Sequence, residues 1–148
     1  MELKELTSAD MDAVRALFYD VFTAEPWNDD WSDGAQLDAY LTDLTGNANS
    51  LTFSFYEGET LLALSMGHVK HWFSGTEYYV DELCVAREAQ GRGVGTAFVQ
   101  AIERALAERG ITHIFLLTER DVPAYRFYQK AGFRELPGNV AFAKRIEG

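Results

Sequence analysis

Gln90-Gly91-Arg92-Gly93-Val94-Gly95-Thr96 is the stretch around which the chain is organised. The apolar run Tyr78 to Val85 before it predicts a strand, and the periodic segment Ala97 to Glu108 after it predicts a helix. Three glycines at alternate positions let the backbone pass close to a ligand. The start of a helix adds unpaired N–H groups and the positive end of the helix dipole. The stretch therefore predicts a binding site for a phosphate or pyrophosphate.

Two well-known phosphate-binding motifs do not fit this spacing. A dinucleotide-binding fingerprint needs a third glycine where this chain has Thr96. A P-loop needs Gly-Lys-Ser/Thr, whereas Gly95 is followed directly by Thr96. Taken alone, the turn is better explained by an ordinary connection between a strand and a helix. The spacing thus excludes these two motifs without identifying the ligand.

Length and composition limit the class of protein. The chain has 148 residues, 47% apolar and 24% charged, as expected for one globular domain. Its net charge of −10 argues against nucleic acid or an anionic membrane as partner and favours a neutral or cationic small molecule. No apolar run reaches the length of a membrane span. The single Cys84 and the absence of a signal-peptide pattern in Met1–Leu6 predict a cytoplasmic protein.

Hydrophobic periodicity and turn residues predict the order of elements. The first half should contain a strand at Met1–Leu6, an apolar helix face from Met11 to Phe22, a helix capped by Ser32 or Asp33, and strands at Leu51–Tyr56, Thr60–Trp72 and Glu77–Val85. After the glycine turn and its helix should come a strand at Ile111–Thr118, a helix at Val122–Ala131, and a hairpin of Phe133–Leu136 and Val140–Ile146. Short turns indicate an antiparallel meander, and the strand–helix–strand crossover indicates a parallel pair. The order predicts a mixed α/β fold in one domain over residues 1–148.

Three motifs, in this order, give the chain a family resemblance. They are Asp81–Val85, the loop Gln90–Gly95 with Gln90, Gly93 and Gly95 in a Gln/Arg-x-x-Gly-x-Gly/Ala pattern, and Pro123–Phe133 with an Ala-x-x-Phe-Tyr-x-x-x-Gly-Phe pattern. With these motifs the chain resembles the GNAT superfamily of N-acetyltransferases. The resemblance is strong from Tyr78 to Phe133 and architectural elsewhere. It implies the GNAT fold, a central mixed and mostly antiparallel sheet with a splayed parallel strand pair and flanking helices.

The resemblance also implies acetyl-coenzyme A as acyl donor, without a metal. Backbone groups of Leu83, Cys84 and Val85 would bind the pantetheine arm, because in the family this strand splays away from the next. The loop with Gln90 would bind the pyrophosphate through the amides of Gly91, Arg92, Gly93, Val94, Gly95 and Thr96. Tyr128 would protonate the departing thiolate, and the rest of the coenzyme-binding set would be Asp121, Ala124 and Phe127. Asp121 stands where asparagine is common, and an ionised aspartate cannot donate a hydrogen bond.

Acetyl transfer to an amine needs a base, a positioned amine and a donor for the oxyanion. A backbone N–H of the strand ending at Val85 would serve as that donor, and direct attack in a ternary complex needs no enzyme nucleophile. Glu82 is favoured slightly over Asp81 as the base, and His68 is the third candidate. Any of the three could act through a bound water. Adjacent residues point to opposite faces of a regular strand, but a bulge would change this parity. The alternative for Glu82 is a structural acid that bonds nearby backbone.

The segment between the first two helices is where family members bind the acceptor. Here it carries Glu25, Trp27, Asp29 and Trp31, and acidic and aromatic groups suit an ammonium ion. The alternative is ordinary loop packing and solvation. With His68, these residues predict a small cationic amine as acceptor, aminoglycoside-like or polyamine-like. A protein N-terminal or lysine acetyltransferase and a non-catalytic acyl-coenzyme A sensor stay as alternatives, and homodimerisation is left open.

A shared metal site on the histidines is not expected. His68 and His71 lie three apart on a strand, hence on opposite faces, and cannot easily chelate one ion. Cys84 is expected to be a small apolar filler whose backbone matters more than its sulfur.

Overall fold

The computed structural model describes residues 1–147 and contains one mixed sheet with four helices. The strands are β1 (Glu2–Glu5), β2 (Ser50–Glu57), β3 (Thr60–Trp72), β4 (Gly75–Val85) and β5 (His113–Leu116). The helices are α1 (Met11–Phe22), α2 (Gly34–Thr45), α3 (Val94–Glu108) and α4 (Pro123–Lys130). Short 3-10 turns occur at Ser8–Asp10 and Arg87–Ala89.

The sheet has the order β1-β2-β3-β4-β5, so sequential strands are neighbours throughout. β1 to β4 form an antiparallel meander because short turns join β2, β3 and β4. β5 pairs parallel to β4 after the α3 crossover. The predicted mixed α/β class, mostly antiparallel with one parallel strand pair, is therefore confirmed.

Contacts divide the chain into two compact units, Met1–Leu117 and the segment from Thr118 onward. The first unit holds the whole sheet with α1, α2 and α3, and the second holds α4. The prediction of one domain over residues 1–148 stays a prediction.

The predicted C-terminal hairpin is wrong for the residues that the structure describes. Neither Phe133–Leu136 nor Val140–Ile146 forms a strand. A segment of alternating apolar residues forms a strand only if a neighbouring strand pairs with its backbone N–H and C=O groups and another surface buries its apolar face. Here Val140 and Phe142 are 73% and 94% exposed, so no apolar face is buried. Strand β5 is also shorter than the predicted Ile111–Thr118, whereas β3 has its predicted bounds.

The apolar residues of the first unit form one core around the sheet. α1 contributes one helical face, which is buried as its periodicity predicts: Val14, Leu17, Phe18, Val21 and Phe22. α3 packs Phe98 against Phe55 of β2, with ring centroids 5.2 Å apart. Asp33 caps α2 by accepting a hydrogen bond from the Gln36 amide. Within residues 1–147, no helix is long and apolar enough to span a membrane.

Gly67 lies on β3 opposite Val80 of β4, beside a register shift, and we expect Gly67→Ala to destabilise the protein. An added Cβ would overlap the Tyr79 carbonyl oxygen and lie 2.6 Å from the buried Tyr78 ring. Since backbone must move to admit the methyl group, the free energy of unfolding should fall by about 2 kcal/mol. Urea unfolding checks this, with Gly138→Ala as control because a Cβ there meets nothing within 4 Å. Equal urea midpoints for the two variants would show that the contact between Gly67 and β4 is loosely packed.

Candidate active site

A bulge in β4 sets the direction of the two candidate carboxylates. Glu82 lies opposite Met66, but Val80 lies opposite the next residue of β3, Gly67. Asp81 is therefore an extra residue without a partner of its own, which defines a β-bulge. The bulge changes the parity of β4, so Glu82 projects from the face that carries the Met66 side chain.

Glu82 is held in a partly buried position by a tyrosine from α2. The Tyr40 hydroxyl donates to Glu82 Oε1 at 2.7 Å. Burial raises the pKa of the Glu82 carboxyl, the Tyr40 hydrogen bond opposes that change, and the charges of Asp29 and Asp81 raise the pKa further. A carboxylate with a raised pKa is a better proton acceptor near neutral pH than an ordinary glutamate.

Asp81 pairs with the third candidate base, His68. The two side chains are partly buried, and His68 Nδ1 lies 2.9 Å from Asp81 Oδ2. The His68 ring is stacked on Tyr79 with centroids 5.0 Å apart and planes at 24°. When Nδ1 donates to the carboxylate, Nε2 of a neutral imidazole is left as an acceptor. Of the three candidate bases, Asp81 and His68 thus pair with each other across neighbouring strands, whereas Glu82 pairs with Tyr40 of α2.

The predicted acceptor segment divides into residues near Glu82 and residues elsewhere. Trp31 stacks on Tyr40 with centroids 5.2 Å apart and planes at 17°, and the Asp29 charge acts on Glu82. Trp27 instead packs on the last residue of α1, with centroids 5.6 Å apart, and Glu25 is exposed. The structure therefore links Trp31 to Glu82 through Tyr40 and places the charge of Asp29 within range of Glu82, whereas the ring contact of Trp27 is with Phe22.

The end of β4 has an open edge. Pairing with β5 stops at Val80 opposite Leu116, although β4 continues to Val85. Backbone groups of residues 81–85 that point toward β5 are thus released from the ladder, as the splayed strand pair requires. One of them is used locally, because the Gln90 side chain donates to the Val85 carbonyl at 3.0 Å. This bond ties the glycine loop to the strand.

Cys84 is buried on the same stretch of strand, and burial raises the pKa of its thiol. A thiol that stays protonated is a poor nucleophile, so the side chain fills space beside the backbone groups at this edge.

The glycine loop has the conformation that its composition demands. Gly91 and Gly93 have φ values of 78° and 77°, in the left-handed region. Gly93 is the N-cap of α3, and no side chain caps the helix. The amides of the first three helical residues, Val94 to Thr96, have no carbonyl acceptor one turn earlier in the helix. A Cβ at either glycine would meet nothing within 4 Å, so no other part of the protein covers the loop at these two positions.

The second unit carries the remaining predicted residues. Tyr128 lies on α4, and its ring meets Phe127 and Phe133 edge-on with centroids 5.3 Å away in both cases. Ala124 is on the same helix and half-buried, and Asp121 is exposed just before the helix. These contacts give the Tyr128 ring a defined place within its unit.

Within residues 1–147, no group of three or more His, Cys, Asp or Glu side chains is placed to hold a metal ion. Tyr40 is a site residue that sequence analysis did not single out. The available signal was a polar tip among the apolar positions of α2, since a buried tyrosine hydroxyl needs a partner.

Comparison with known proteins agrees with this geometry. The model of the acetyltransferase (GNAT) family matches residues 11–133. A mycothiol acetyltransferase of Corynebacterium jeikeium (strain K411) is 37% identical over 71 residues, 47% of this chain. The match spans only 20% of that relative's length.

Two solved structures share the fold at low sequence identity. A possible acetyltransferase from Clostridium difficile 630 has a TM-score of 0.83 and 16% identity, covering 99% of this chain and 98% of that one. AAC(6')-Iy in complex with the bisubstrate analogue CoA-S-monomethyl-acetylneamine has a TM-score of 0.74 and 15% identity, covering 98% of both chains. The family match extends over most of the chain and includes β4, the glycine loop and the Tyr128 motif. The chain belongs to the GNAT acetyltransferase family.

Proposed function

We propose that this protein is an acetyl-coenzyme A-dependent N-acetyltransferase whose acceptor is a primary amine of a small cation. The observation that carries the proposal is the partly buried Glu82 carboxylate, which lies beside a released strand edge within one compact unit. Bound acetyl-coenzyme A would supply the activated acetyl thioester. The residues of this chain then have to bind it, hold the amine and accept its proton.

The residues at the strand edge and the loop fit coenzyme A. The uncapped start of α3 and the left-handed glycines offer N–H groups to a pyrophosphate. The open backbone of residues 81–85 suits the amide groups of a pantetheine arm, which pair as a further strand would. A backbone N–H near Val85 would also serve the oxyanion. The solved complex of AAC(6')-Iy with a coenzyme A bisubstrate analogue supports this assignment.

Glu82 is our proposed general base. It would take the proton from the ammonium group of the acceptor, directly or through a bound water, so that the neutral amine can attack, because its pKa is raised above that of an ordinary carboxyl. Asp81 and His68, which are hydrogen-bonded to each other, are the alternative base. The buried Cys84 thiol gives no reason to expect an acetyl-enzyme. Direct attack in a ternary complex is the mechanism that these residues support.

The acceptor class follows from charge and aromatic surface. Asp29, Asp81 and Glu82 all act on the Tyr40 hydroxyl, and Trp31 stacks on the Tyr40 ring. Carboxylates and aromatic rings together favour an ammonium ion over a neutral or anionic group. An acceptor with a second positive charge should therefore be preferred over one without it.

Steady-state kinetics on three amines of similar length test this proposal. Cadaverine carries a second cation, amylamine ends in a methyl group, and aminocaproate ends in a carboxylate. Following free thiol, we expect kcat/KM to decrease in that order. A reversed order would contradict the cationic acceptor, and activity confined to peptide amines would indicate a protein acetyltransferase. Tight coenzyme binding without thiol release for any amine would indicate a sensor.

Tyr128→Phe should lower turnover much more than coenzyme binding. The change removes the hydroxyl proposed to protonate the thiolate but keeps the ring that packs on Phe127 and Phe133. A loss in kcat of about 10²-fold or more is expected for a general acid. Comparing kcat with the coenzyme dissociation constant checks it. If kcat is unchanged, Tyr128 has a structural role.

A further inference from the structure

Tyr40 is fixed by aromatic contacts before any substrate binds. Its ring stacks on Trp31 with centroids 5.2 Å apart, and Phe18 of α1 lies 6.0 Å away at 60°. Tyr40 is half-buried among residues packed on the core. A tyrosine held on two sides has few rotamers left, so its hydroxyl has a defined position.

The Tyr40 hydroxyl donates its hydrogen bond to Glu82. Tyr40 Oη lies 2.7 Å from Glu82 Oε1, which joins α2 to β4 across 42 positions of sequence. Burial and the neighbouring carboxylates of Glu82, Asp81 and Asp29 raise the pKa of Tyr40, so its proton stays in place throughout the working range of pH. With Oε1 engaged, Oε2 is the oxygen left to accept a proton.

We propose that Tyr40 is a positioning residue for the base, because its fixed ring and its hydrogen bond to one oxygen of Glu82 present the other oxygen to the acceptor amine. The proposal rests on the proposed function, in which Glu82 accepts the proton. In this proposal Tyr40 acts through Glu82 and not directly on the acetyl group or the amine.

The groups around Glu82 determine how its pKa should change when the Tyr40 hydrogen bond is lost. Asp29 from the acceptor segment and Asp81 from β4 raise its pKa, and burial does so most strongly. Asp81 is in turn paired with His68, and Cys84 on β4 stays protonated. Among these groups, Tyr40 is the donor that favours the ionised form. Without it, Glu82 should take up its proton at higher pH.

Tyr40→Phe tests the proposal because it keeps the stacked ring and removes only the hydroxyl. A hydrogen bond to a charged group is large enough to shift the titration by about one pH unit. We expect the acid limb of kcat/KM against pH to move upward by that amount. At high pH, where Glu82 is ionised in both proteins, kcat/KM should recover only in part, because the carboxylate of the variant is no longer oriented by the hydrogen bond. A uniform loss at every pH would show a merely structural role and overturn the proposal.

A second readout does not depend on activity. Carboxyl-carbon NMR of glutamate-labelled protein gives the Glu82 titration midpoint, with its signal assigned by its disappearance in Glu82→Gln. We expect the midpoint to rise in Tyr40→Phe by the same amount as the acid limb. Tyr56→Phe is the matched control, because it removes a tyrosine hydroxyl that lies beside a different carboxylate, Asp10. An unchanged Glu82 midpoint in Tyr40→Phe would overturn the proposal.

The two readouts separate the failure of this inference from failure of the proposed function. If Glu82→Gln keeps wild-type turnover, Glu82 is not the base, whatever the NMR midpoint in Tyr40→Phe. If Glu82→Gln loses turnover but Tyr40→Phe moves neither the midpoint nor the acid limb, the base assignment stands and the positioning role is wrong.

Discussion

Gly93→Asp is expected to reduce the affinity for coenzyme A by roughly two orders of magnitude or more, because like charges brought together cost several kcal/mol. The new carboxylate would stand at the start of α3, where the proposed pyrophosphate binds. The fold should survive, because a Cβ at Gly93 meets nothing within 4 Å and aspartate tolerates a left-handed φ better than most residues. Isothermal titration with coenzyme A measures the effect.

The other end of the same helix provides the control. Gly110 has a φ of 73°, and a Cβ there also meets nothing within 4 Å. Gly110→Asp therefore makes the same chemical change with similar backbone strain, away from the loop, and should keep wild-type affinity. If Gly93→Asp binds coenzyme A as well as this control does, the glycine loop is not part of the coenzyme site.

Glu82→Gln should lower kcat by about 10²- to 10⁴-fold, the range typical of a lost general base. The amide keeps the shape of the side chain and can still accept the Tyr40 hydrogen bond, so coenzyme affinity should be unchanged. In the wild type, kcat/KM should rise with pH as the base ionises, at a pH above the usual carboxyl range because burial raises the pKa of Glu82. That limb should be absent from the variant.

Glu77→Gln is the matched control for this substitution. Glu77 lies on the same strand but pairs with Lys70 and His113, away from the bulge, and its loss should leave kcat unchanged. Full activity in Glu82→Gln would remove it as the base. The effects of Asp81→Asn and of His68→Gln on kcat would then show which of these two residues is the base.

Sequence patterns predicted most of the first unit for local physical reasons. The bounds of β3 and the buried face of α1 follow from period and turn residues, which act over a few positions. The left-handed glycines of the loop follow from composition in the same way. The final hairpin failed because Val140 and Phe142 show the strand pattern without a pairing partner, which no local pattern can supply.

The candidate site was harder to predict because its contacts join distant positions. The bulge at Asp81 depends on how β4 registers with β3, and it decides which face Glu82 takes. Tyr40 had an unremarkable place on a helix face, and only the packing of α2 brings its hydroxyl to Glu82. Sequence reasoning named the carboxylates and the acceptor segment, but not the tyrosine that connects them.

Single-turnover mixing of the protein with acetyl-coenzyme A tests the central claim most directly. The protein is kept in excess, and free thiol is followed with and without cadaverine. Direct transfer predicts that thiol appears only when the amine is present, with one acetylcadaverine formed for each thiol. Thiol released without amine, with the acetyl group retained on the protein, would reveal an acetyl-enzyme and contradict direct transfer. A stable complex that releases no thiol with cadaverine would contradict N-acetylation of small cationic amines.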